Sequence, residues 1–290
     1  EDGSIRSLNM RDGQQLEADI FVDCTGFNSE LLQKALKVPF ISCADTLFND
    51  SAVVFPTEQE EQIEVQTIAT ALQYGWAWKI PLTHRNGNGY VFSSGFCDKD
   101  KAETEFRAHL NLLNADVEAR HLKFKVGRVA EQWHKNCLAV GLAQGFIEPL
   151  EATALDMVQE TVARFIEAYN NGNYSDQYRQ DFNERINARF DAVRDYIVCH
   201  YRISSRTDTD YWIENGRNEK ISNSLRAILL SWVQGKSITD ELERQKLDAY
   251  FPNVSWSCLL AGKGIYPTPA QLKPGNELAH QYDLNQIQRY

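Results

Sequence analysis

Long hydrophobic runs are missing from this sequence of 290 residues. A helix that spans a lipid bilayer needs about 20 consecutive apolar residues, and no stretch of the sequence approaches that length. No signal-peptide pattern opens the chain either. These two absences predict a protein with no membrane partner, and the expected compartment is the cytoplasm.

Positive charge is also scarce. The sequence has 30 Lys and Arg against 40 Asp and Glu, which gives a formal net charge of −10. Nucleic acids and anionic membrane surfaces attract proteins through clustered Lys and Arg. The charge balance therefore argues against nucleic acid as a main partner. The apolar fraction of 43% and the aromatic fraction of 11% are sufficient for a folded core.

Metal-ligand and phosphate-loop motifs are absent as well. The six histidines form no H-x-x-x-H or H-E-x-x-H spacing, and the six cysteines form no C-x-x-C pair. The sequence thus predicts no metal site and free thiols in a reducing compartment. No G-x-G-x-x-G loop is found. The only glycine-dense stretch, 86–89, is expected to be a hairpin turn because no helix pattern follows it.

The strongest candidate site is the stretch 141–156, GLAQGFIEPLEATALD. An apolar run at 137–140 precedes it and an amphipathic run from about 153 to 170 follows, which predicts a strand, a glycine-bearing loop and a helix start. Free backbone N–H groups at a helix start can hold an anion. Glu148 and Glu151 lie in the same turn. From spacing alone, they could equally be solvated acids that favour the helix dipole.

Two segments resemble the flavin-dependent halogenases, the tryptophan halogenase family. The segment GFIEPLEATAL at 145–155 is similar to the family's E-P-L-E-[SA]-T motif, and GWAWKIP at 75–81 is similar to its G-W-x-W-x-I-P signature. The resemblance extends from about residue 18 to residue 266. Family members begin with a dinucleotide-binding loop and carry a catalytic lysine in their front part, and neither is found here. The resemblance therefore implies the C-terminal part of a longer enzyme.

The fold implied by the resemblance is α/β (α+β). It is the C-terminal part of an FAD-dependent monooxygenase-like fold of the glutathione reductase type, with an antiparallel sheet and a helical C-terminal region. Residue patterns agree, since 38–98 is rich in strand formers and the sequence after 174 has helical apolar spacing. The expected divisions are the remainder of the FAD-binding domain at 1–37 and 130–170, a sheet-rich region that covers flavin and substrate at 38–129, and a helical substrate-side region at 171–290.

Candidate flavin contacts come from two places. Thr25 and Gly26 end the predicted strand ADIFVDC, and a glycine there allows the backbone to approach a ligand closely. The alternative is an ordinary turn in which Ser29 caps the next helix. The resemblance adds three residues of a loop beside the flavin ring: Gly141, Gly145 and Pro149.

The resemblance assigns the chemistry to the start of the helix that follows the E-P-L-E segment. Thr153 and Ala154 would bind the halide, chloride or bromide, through backbone N–H groups. Family members usually have glycine after the threonine, so Ala154 makes a positive φ less accessible. Glu151 would be the catalytic carboxylate, which stabilises the cation formed when a hypohalous species attacks an arene and takes the departing proton. Glu148 would serve structure or local electrostatics.

Two aromatic pairs are further candidates. Trp76 and Trp78 share one face of their strand, because side chains alternate along a strand. They could be a half-buried aromatic face, but the resemblance makes them the wall of a channel between flavin and substrate. That wall would pass a small oxidant and stop an organic substrate. Tyr250 and Phe251 would stack on an indole-like substrate, unless both rings belong to the core.

Two features of the predicted helices are given structural roles. His200 and Arg202, close together in one helix, are expected to be hydrogen-bonded groups rather than catalysts. The helix after Thr153 carries an apolar stripe that is expected to be core: Leu155, Val158, Val162, Phe165, Ile166 and Tyr169.

The resemblance as a whole implies a halogenase that chlorinates or brominates tryptophan or another indole-like arene. It would use FAD as FADH₂ from a separate flavin reductase, and a homodimer is possible. Two alternatives stay open. One is an FAD-dependent monooxygenase of the same fold that hydroxylates its aromatic substrate, which the bulk of Trp76 and Trp78 disfavours. The other is a non-catalytic fragment or binding module, because the motifs of the family's front part are missing.

Overall fold

Residues 2–247 and 249–268 are described by a computed structural model. The chain divides into two units, 1–221 and 222–290. The first combines several sheets with helices, so the predicted α/β class is confirmed. The three-part division expected from the sequence stays a prediction, and the end of its helical region, 269–290, lies outside the described residues.

The strands of the described residues all lie in the first unit. In chain order they are β1 Ser7–Asn9, β2 Gln15–Glu17, β3 Phe21–Asp23, β4 Phe40–Ser42, β5 Ser51–Thr57, β6 Ile68–Ala71, β7 Gly75–Pro81, β8 Asn86–Phe92, β9 Arg120–Lys123, β10 Gly127–Val129, β11 Trp133–His134, β12 Cys137–Ala139 and β13 Gly145–Phe146.

The α-helices of the described residues include the one predicted from about residue 153 to 170, and most of the others lie in the helical region predicted after residue 174. The α-helices are α1 Lys99–His109, α2 Thr153–Asn171, α3 Arg179–Arg202 and α4 Asp210–Arg217 in the first unit, and α5 Asn223–Val233, α6 Ile238–Gln245 and α7 Asn253–Gly262 in the second. The buried residues of the second unit include Leu225, Ile228, Leu242 and Leu260. None of the helices within 2–247 and 249–268 is both long and apolar enough to cross a membrane.

Two strands of the first unit run parallel. Strand β3 pairs with β12, which pairs in turn with β11 in the antiparallel sense. The carboxyl ends of parallel strands meet at the same edge of a sheet, which is where ligands bind in α/β folds. Just past this edge, the N–H of Val140 donates to the carbonyl of Asp23 over 3.0 Å. The turns that follow β3 and β12 are therefore neighbours.

A five-stranded antiparallel sheet, β6-β7-β8-β5-β9, forms the other large layer. One face packs on α1, because the buried side chains of Phe55, Tyr90 and Phe92 form a core with Ala102 and Phe106 of that helix. The opposite face carries the two tryptophans of β7. Their ring centroids are 5.9 Å apart, which confirms that they share a face.

The turn of the β7–β8 hairpin is not where the sequence predicted it. The chain reverses between Leu82 and Arg85, where the N–H of Leu82 donates to the carbonyl of Arg85 over 2.9 Å. Residues 86–89 belong to β8 and pair with β7, so the glycine-dense stretch is strand. Its composition has a packing reason, because a Cβ on Gly89 would lie 2.0 Å from Cζ2 of Trp78.

We expect Gly89→Ala to displace the Trp78 ring. The added methyl group overpacks the site, which typically destabilises a protein by about 1–3 kcal/mol, and tryptophan fluorescence should change with it. Urea unfolding followed by fluorescence measures both effects. Gly87→Ala on the same strand is the matched control, because its Cβ would meet nothing closer than 3.8 Å. Equal losses in the two variants would contradict the account.

Helix α2 buries only part of its apolar stripe. Phe165 and Tyr169 pack against Trp133, with ring centroids 4.9 and 6.0 Å apart. Leu155 and Ile166 are 77% and 53% exposed, so the expectation that the whole stripe is core was wrong. Helical periodicity shows which residues share a face. It does not show how far the neighbouring elements extend over that face.

Candidate active site

The loop between β12 and α2 holds most of the predicted site residues. Gly141 has a φ of +67°, a conformation that favours glycine. The buried side chain of Gln144 fixes this turn: its Oε1 accepts from the Gly141 N–H over 2.9 Å, and its Nε2 donates to Oγ1 of Thr161 on α2 over 3.0 Å. The loop is thereby anchored to the helix that follows it.

Gly145 is required by packing against the neighbouring strand. Its φ is +151°, and a Cβ there would lie 2.5 Å from the carbonyl oxygen of Gly127 and 2.7 Å from Cα of Arg128. The loop crosses β10 at this point, with β13 paired to β10. This contact alone explains why residue 145 is a glycine, without any ligand. A contact of Gly145 with flavin stays a prediction.

Glu148 is the centre of a buried polar network. Its side chain is fully buried, and Oε2 accepts hydrogen bonds from Nε1 of Trp76 at 2.7 Å, Nδ2 of Asn49 at 2.9 Å and the hydroxyl of Tyr201 at 2.5 Å. The hydroxyl of Tyr211 donates to Oδ1 of Asn49 over 3.0 Å. One carboxyl group thus connects the loop to the five-stranded sheet and, through these tyrosines, to α3 and α4.

Burial raises the pKa of Glu148 above its ordinary value of 4.5, although the hydrogen bonds from Tyr201, Trp76 and Asn49 oppose the shift. The other carboxyl oxygen, Oε1, is buried and makes no hydrogen bond within the described residues. A proton on Oε1 leaves Oε2 free to accept from its three donors. Burial outweighs these hydrogen bonds, so the pKa of Glu148 is shifted toward the neutral acid.

Glu151, three residues later, lies in a very different environment. It ends the short 3-10 turn Pro149–Glu151, and about a third of its side chain, 35%, is exposed. Its Oε1 lies 2.9 Å from Nε2 of His200 on α3. The two glutamates look alike in the sequence. In the structure, Glu148 is buried and Glu151 is accessible to a ligand.

The start of α2 follows directly. Ala152 precedes it with a φ of +54°, and no side chain caps the helix. The first N–H groups of a helix have no partners within it, so those of Thr153 and Ala154 are available to an anion. Ala154 lies inside α2, and the expected difficulty with a positive φ there was wrong. The left-handed residue is Ala152.

An apolar cavity of about 260 Å³ lies against this helix start. It brings together four predicted site residues, Gly141, Gly145, Thr153 and Ala154. Pro149 is not among the residues that line it. Ligand pockets for small molecules usually measure about 300–1,000 Å³, so the cavity is in scale with part of a ring system rather than with a whole dinucleotide.

Thr25 and Gly26 follow β3 at the shared edge of β3 and β12. Gly26 has a φ of +70° with open space around it, so its glycine is required by conformation. Thr25 donates to Asp23 over 2.5 Å, and the side chain of Ser29 accepts from the Gln33 N–H, the capping role that the alternative interpretation expected. A contact of this turn with flavin stays a prediction.

Asp23 stabilises this turn through its charge. Burial opposes ionisation, but hydrogen bonds from the Leu32 N–H, Thr25 and Ser29 outweigh it and hold the pKa of Asp23 below its ordinary 3.8. Its contribution to stability is present above that ordinary value and is lost as pH falls through the folded-state pKa.

We expect Asp23→Asn to be less stable than the parent protein at neutral pH by about 1.5–3 kcal/mol, the typical range for hydrogen bonds to a charged group. The difference should shrink as the pH falls below 3.8. Denaturant unfolding followed by circular dichroism at several pH values measures it. Asp19→Asn is the control, since Asp19 is exposed. A difference that stays constant with pH would count against the ionised carboxylate.

The two tryptophans of β7 have separate roles in the structure. Trp76 is 5% exposed and is tied to Glu148 by its indole N–H. Trp78 is more open and lines a groove of about 860 Å³ on the sheet, together with Val54 and Arg120. One ring of the pair is therefore fixed and the other is accessible, and their role as the wall of a channel stays a prediction.

Tyr250 and Phe251 belong to the second unit. They follow α6 and precede α7, and both are partly exposed. Their role in substrate binding stays a prediction. Among residues 2–247 and 249–268, no group of three or more His, Cys, Asp and Glu is placed to hold a metal ion.

The family is decided by a direct match. A family model described as "Tryptophan halogenase" matches residues 1–277. The chain belongs to the tryptophan halogenase family. Among its relatives are the 7-chloro-L-tryptophan 6-halogenase KtzR of Kutzneria sp. (strain 744), 35% identical over 262 residues and 88% of this chain, and the tryptophan 6-halogenase SttH of Streptomyces toxytricini, 34% identical over 277 residues and 92% of this chain.

Solved structures agree with this family assignment. The structure of SttH aligns with 99% of the chain at a TM-score of 0.85 and 32% identity. BrvH, a flavin-dependent halogenase from Brevundimonas sp. BAL3, aligns with 100% at a TM-score of 0.83 and 33% identity. The chain spans about half the length of these relatives, 50% of KtzR and 52% of SttH, and 55% and 57% of the two structures.

Sequence reasoning missed the partners of the two glutamates. Asn49, Tyr201 and Tyr211 lie far from Glu148 in sequence, and none stands in a recognisable motif. His200 was set aside as structural, yet it contacts Glu151. The segment CHYR places a histidine and a tyrosine side by side, but only the fold shows that they reach the same loop.

Proposed function

We propose that the chain is part of a reduced-flavin-dependent halogenase that chlorinates or brominates tryptophan or another indole-like arene. One observation carries the proposal. The accessible carboxylate of Glu151 lies at the uncapped start of α2, beside an apolar cavity. An anion site and a carboxylate at one turn are what arene halogenation requires, because the halide and the departing proton are handled close together.

The residues around the cavity suit flavin and halide. The backbone of Gly141 and Gly145 would lie against the flavin ring, and the N–H groups of Thr153 and Ala154 would hold chloride or bromide. Reduced FAD, supplied by a separate flavin reductase, provides the oxygen activation that turns halide into a hypohalous oxidant. The raised pKa of the buried Glu148 supports this arrangement, because a buried negative charge in the same loop would repel a halide.

Glu151 would act on the arene itself. Attack of a halogen electrophile on an aromatic carbon forms a cation, which a nearby carboxylate stabilises. The same carboxylate then takes the ring proton as a general base. Partial exposure suits this role, because the group must reach a substrate and not only a protein partner.

The tryptophan wall supports halogenation over hydroxylation. Trp76 is fixed by its hydrogen bond to Glu148, so it does not swing aside easily for an organic substrate. A small oxidant that diffuses past the wall would still reach an indole bound on the far side. Direct oxygen transfer to the ring, as in a hydroxylase, would require closer contact.

Mass spectrometry of products tests the proposal. The protein as its gene encodes it is given FAD, a flavin reductase, NADH, bromide and a panel of indoles that includes tryptophan. We expect a product with the isotope doublet of bromine. A product heavier by one oxygen would establish a monooxygenase instead. No product, with flavin bound and oxidised, would overturn the proposed substrate class.

A further inference from the structure

We propose that His200 is the proton acceptor for Glu151, and this inference rests on the proposed function. After Glu151 has taken the proton of the arene, His200 would receive it at the buried Nε2, and the imidazolium would release a proton to water from its other nitrogen, Nδ1. His200 would thus restore the carboxylate for the next turnover without touching the substrate. It would act as a relay and positioning residue.

The first observation is the contact itself. Nε2 of His200 lies 2.9 Å from Oε1 of Glu151, within reach of a direct proton transfer. Nε2 is buried and makes no aligned hydrogen bond within the described residues, so the 2.9 Å separation from Oε1 of Glu151 is a close approach of the two groups. The nitrogen therefore faces the carboxylate with its lone pair or proton uncommitted.

The second observation is the support of the imidazole ring. Its edge packs against Tyr196, one helical turn earlier on α3, with centroids 5.4 Å apart and planes at 80°. The next residue, Tyr201, holds Glu148 over 2.5 Å. Two adjacent residues of one helix thus contact the two glutamates of one turn, which fixes the position of the imidazole relative to Glu151.

The third observation is a route to water. The His200 side chain is 18% exposed, and that of Glu151 is 35% exposed. Two acidic groups interact with the imidazole, Glu151 and the buried Glu148. The charge interaction with His200 acts to lower the pKa of Glu148, against the effect of burial. Because Oε1 of Glu151 lies 2.9 Å from Nε2, Glu151 is the carboxyl group positioned to exchange a proton with His200.

The step balances as written. A hypohalous acid gives its halogen to the ring carbon, and hydroxide leaves. The electron pair of the C–H bond returns to the ring as Glu151 takes the proton. This proton moves from the carboxyl oxygen to Nε2, and the imidazolium releases one proton to solvent from Nδ1. Proton and hydroxide together make water. In an ion pair that only holds Glu151 in place, Nε2 keeps its proton throughout. In the proposed relay, Nε2 accepts a proton in each turnover.

The test uses His200→Gln and His200→Ala in the bromination assay. Glutamine keeps a polar contact with Glu151 but cannot carry the proton onward, so we expect kcat to fall by about tenfold or more with little change in KM for the arene. The alanine variant should lose a similar factor, and added imidazole should restore part of its kcat. The matched control is His134→Ala, since His134 forms a similar pair with Glu131 at 2.7 Å, outside the site.

The outcomes separate the two proposals. Full activity of His200→Gln, or no rescue of His200→Ala by imidazole, would overturn the relay and leave halogenation standing. No bromination by the parent protein would overturn the proposed function and the relay with it. The contact has its own readout, because the ¹⁵N resonance of Nε2 in His200 should move in Glu151→Gln. An unchanged resonance would contradict the pairing whatever the activity.

Discussion

Glu151→Gln is expected to lose bromination almost completely while flavin and substrate still bind. The amide keeps the shape of the side chain but cannot take a proton, and general-base catalysis typically contributes about 10²–10⁴-fold to a rate. We therefore expect kcat to fall by that factor with KM for the arene changed much less. Product mass spectrometry under saturating substrate measures the rate.

The control for this prediction is Glu184→Gln on α3. Glu184 accepts a hydrogen bond from Gln180 over 2.9 Å at an exposed position, so its replacement removes one negative charge without touching the loop. It should retain the activity of the parent. If Glu151→Gln kept most of its activity, another group would have to be the base, and the assignment of Glu151 would be wrong.

Glu148→Ala is expected to destabilise the first unit severely. The change removes the acceptor of three buried donors from Trp76, Asn49 and Tyr201. Each donor left unpaired in the interior costs about 1–3 kcal/mol, so the loss should exceed about 3 kcal/mol. Glu148→Gln keeps an oxygen for these donors, and its loss should stay within about 1 kcal/mol. Denaturant unfolding followed by circular dichroism compares the variants.

The pH dependence of Glu148→Gln provides the sharper test. Because the folded-state pKa of Glu148 is raised, the carboxyl's contribution to stability is complete below its ordinary 4.5 and is lost as pH rises through the folded value. Glutamine does not titrate. The variant should therefore gain stability relative to the parent as the pH increases above 4.5. A constant difference across this range would mean that Glu148 titrates normally, and the neutral buried acid would be disproved.

The central elements could be predicted from the sequence because local patterns determine them. The strand–loop–helix order around 137–171 and the shared face of Trp76 and Trp78 both depend on neighbours in sequence. The family motifs then gave the fold class, which the structural matches confirm. Four of the predicted site residues, Gly141, Gly145, Thr153 and Ala154, line one cavity for the same local reason.

The rest depends on contacts between distant segments. Glu148 and Glu151 differ in exposure because Asn49, Tyr201 and the sheet enclose only the first, and these partners are up to 99 residues away. The role of Gly89 could not be read from a glycine-dense stretch, since it exists to accommodate the ring of Trp78 on the paired strand. Burial of the apolar stripe of α2 likewise depends on which elements pack over it, and the periodicity of the sequence does not show this.

The unequal anchoring of the two tryptophans has a consequence for redesign. The indole N–H of Trp76 donates a hydrogen bond to the buried Glu148. Replacing Trp76 by a smaller residue would remove this bond and destabilise the network around Glu148. Trp78 rests on a glycine and faces an open groove. A directed-evolution library could aim to widen the proposed channel between flavin and substrate for bulkier substrates. It should therefore vary position 78 together with position 89 and leave position 76 unchanged.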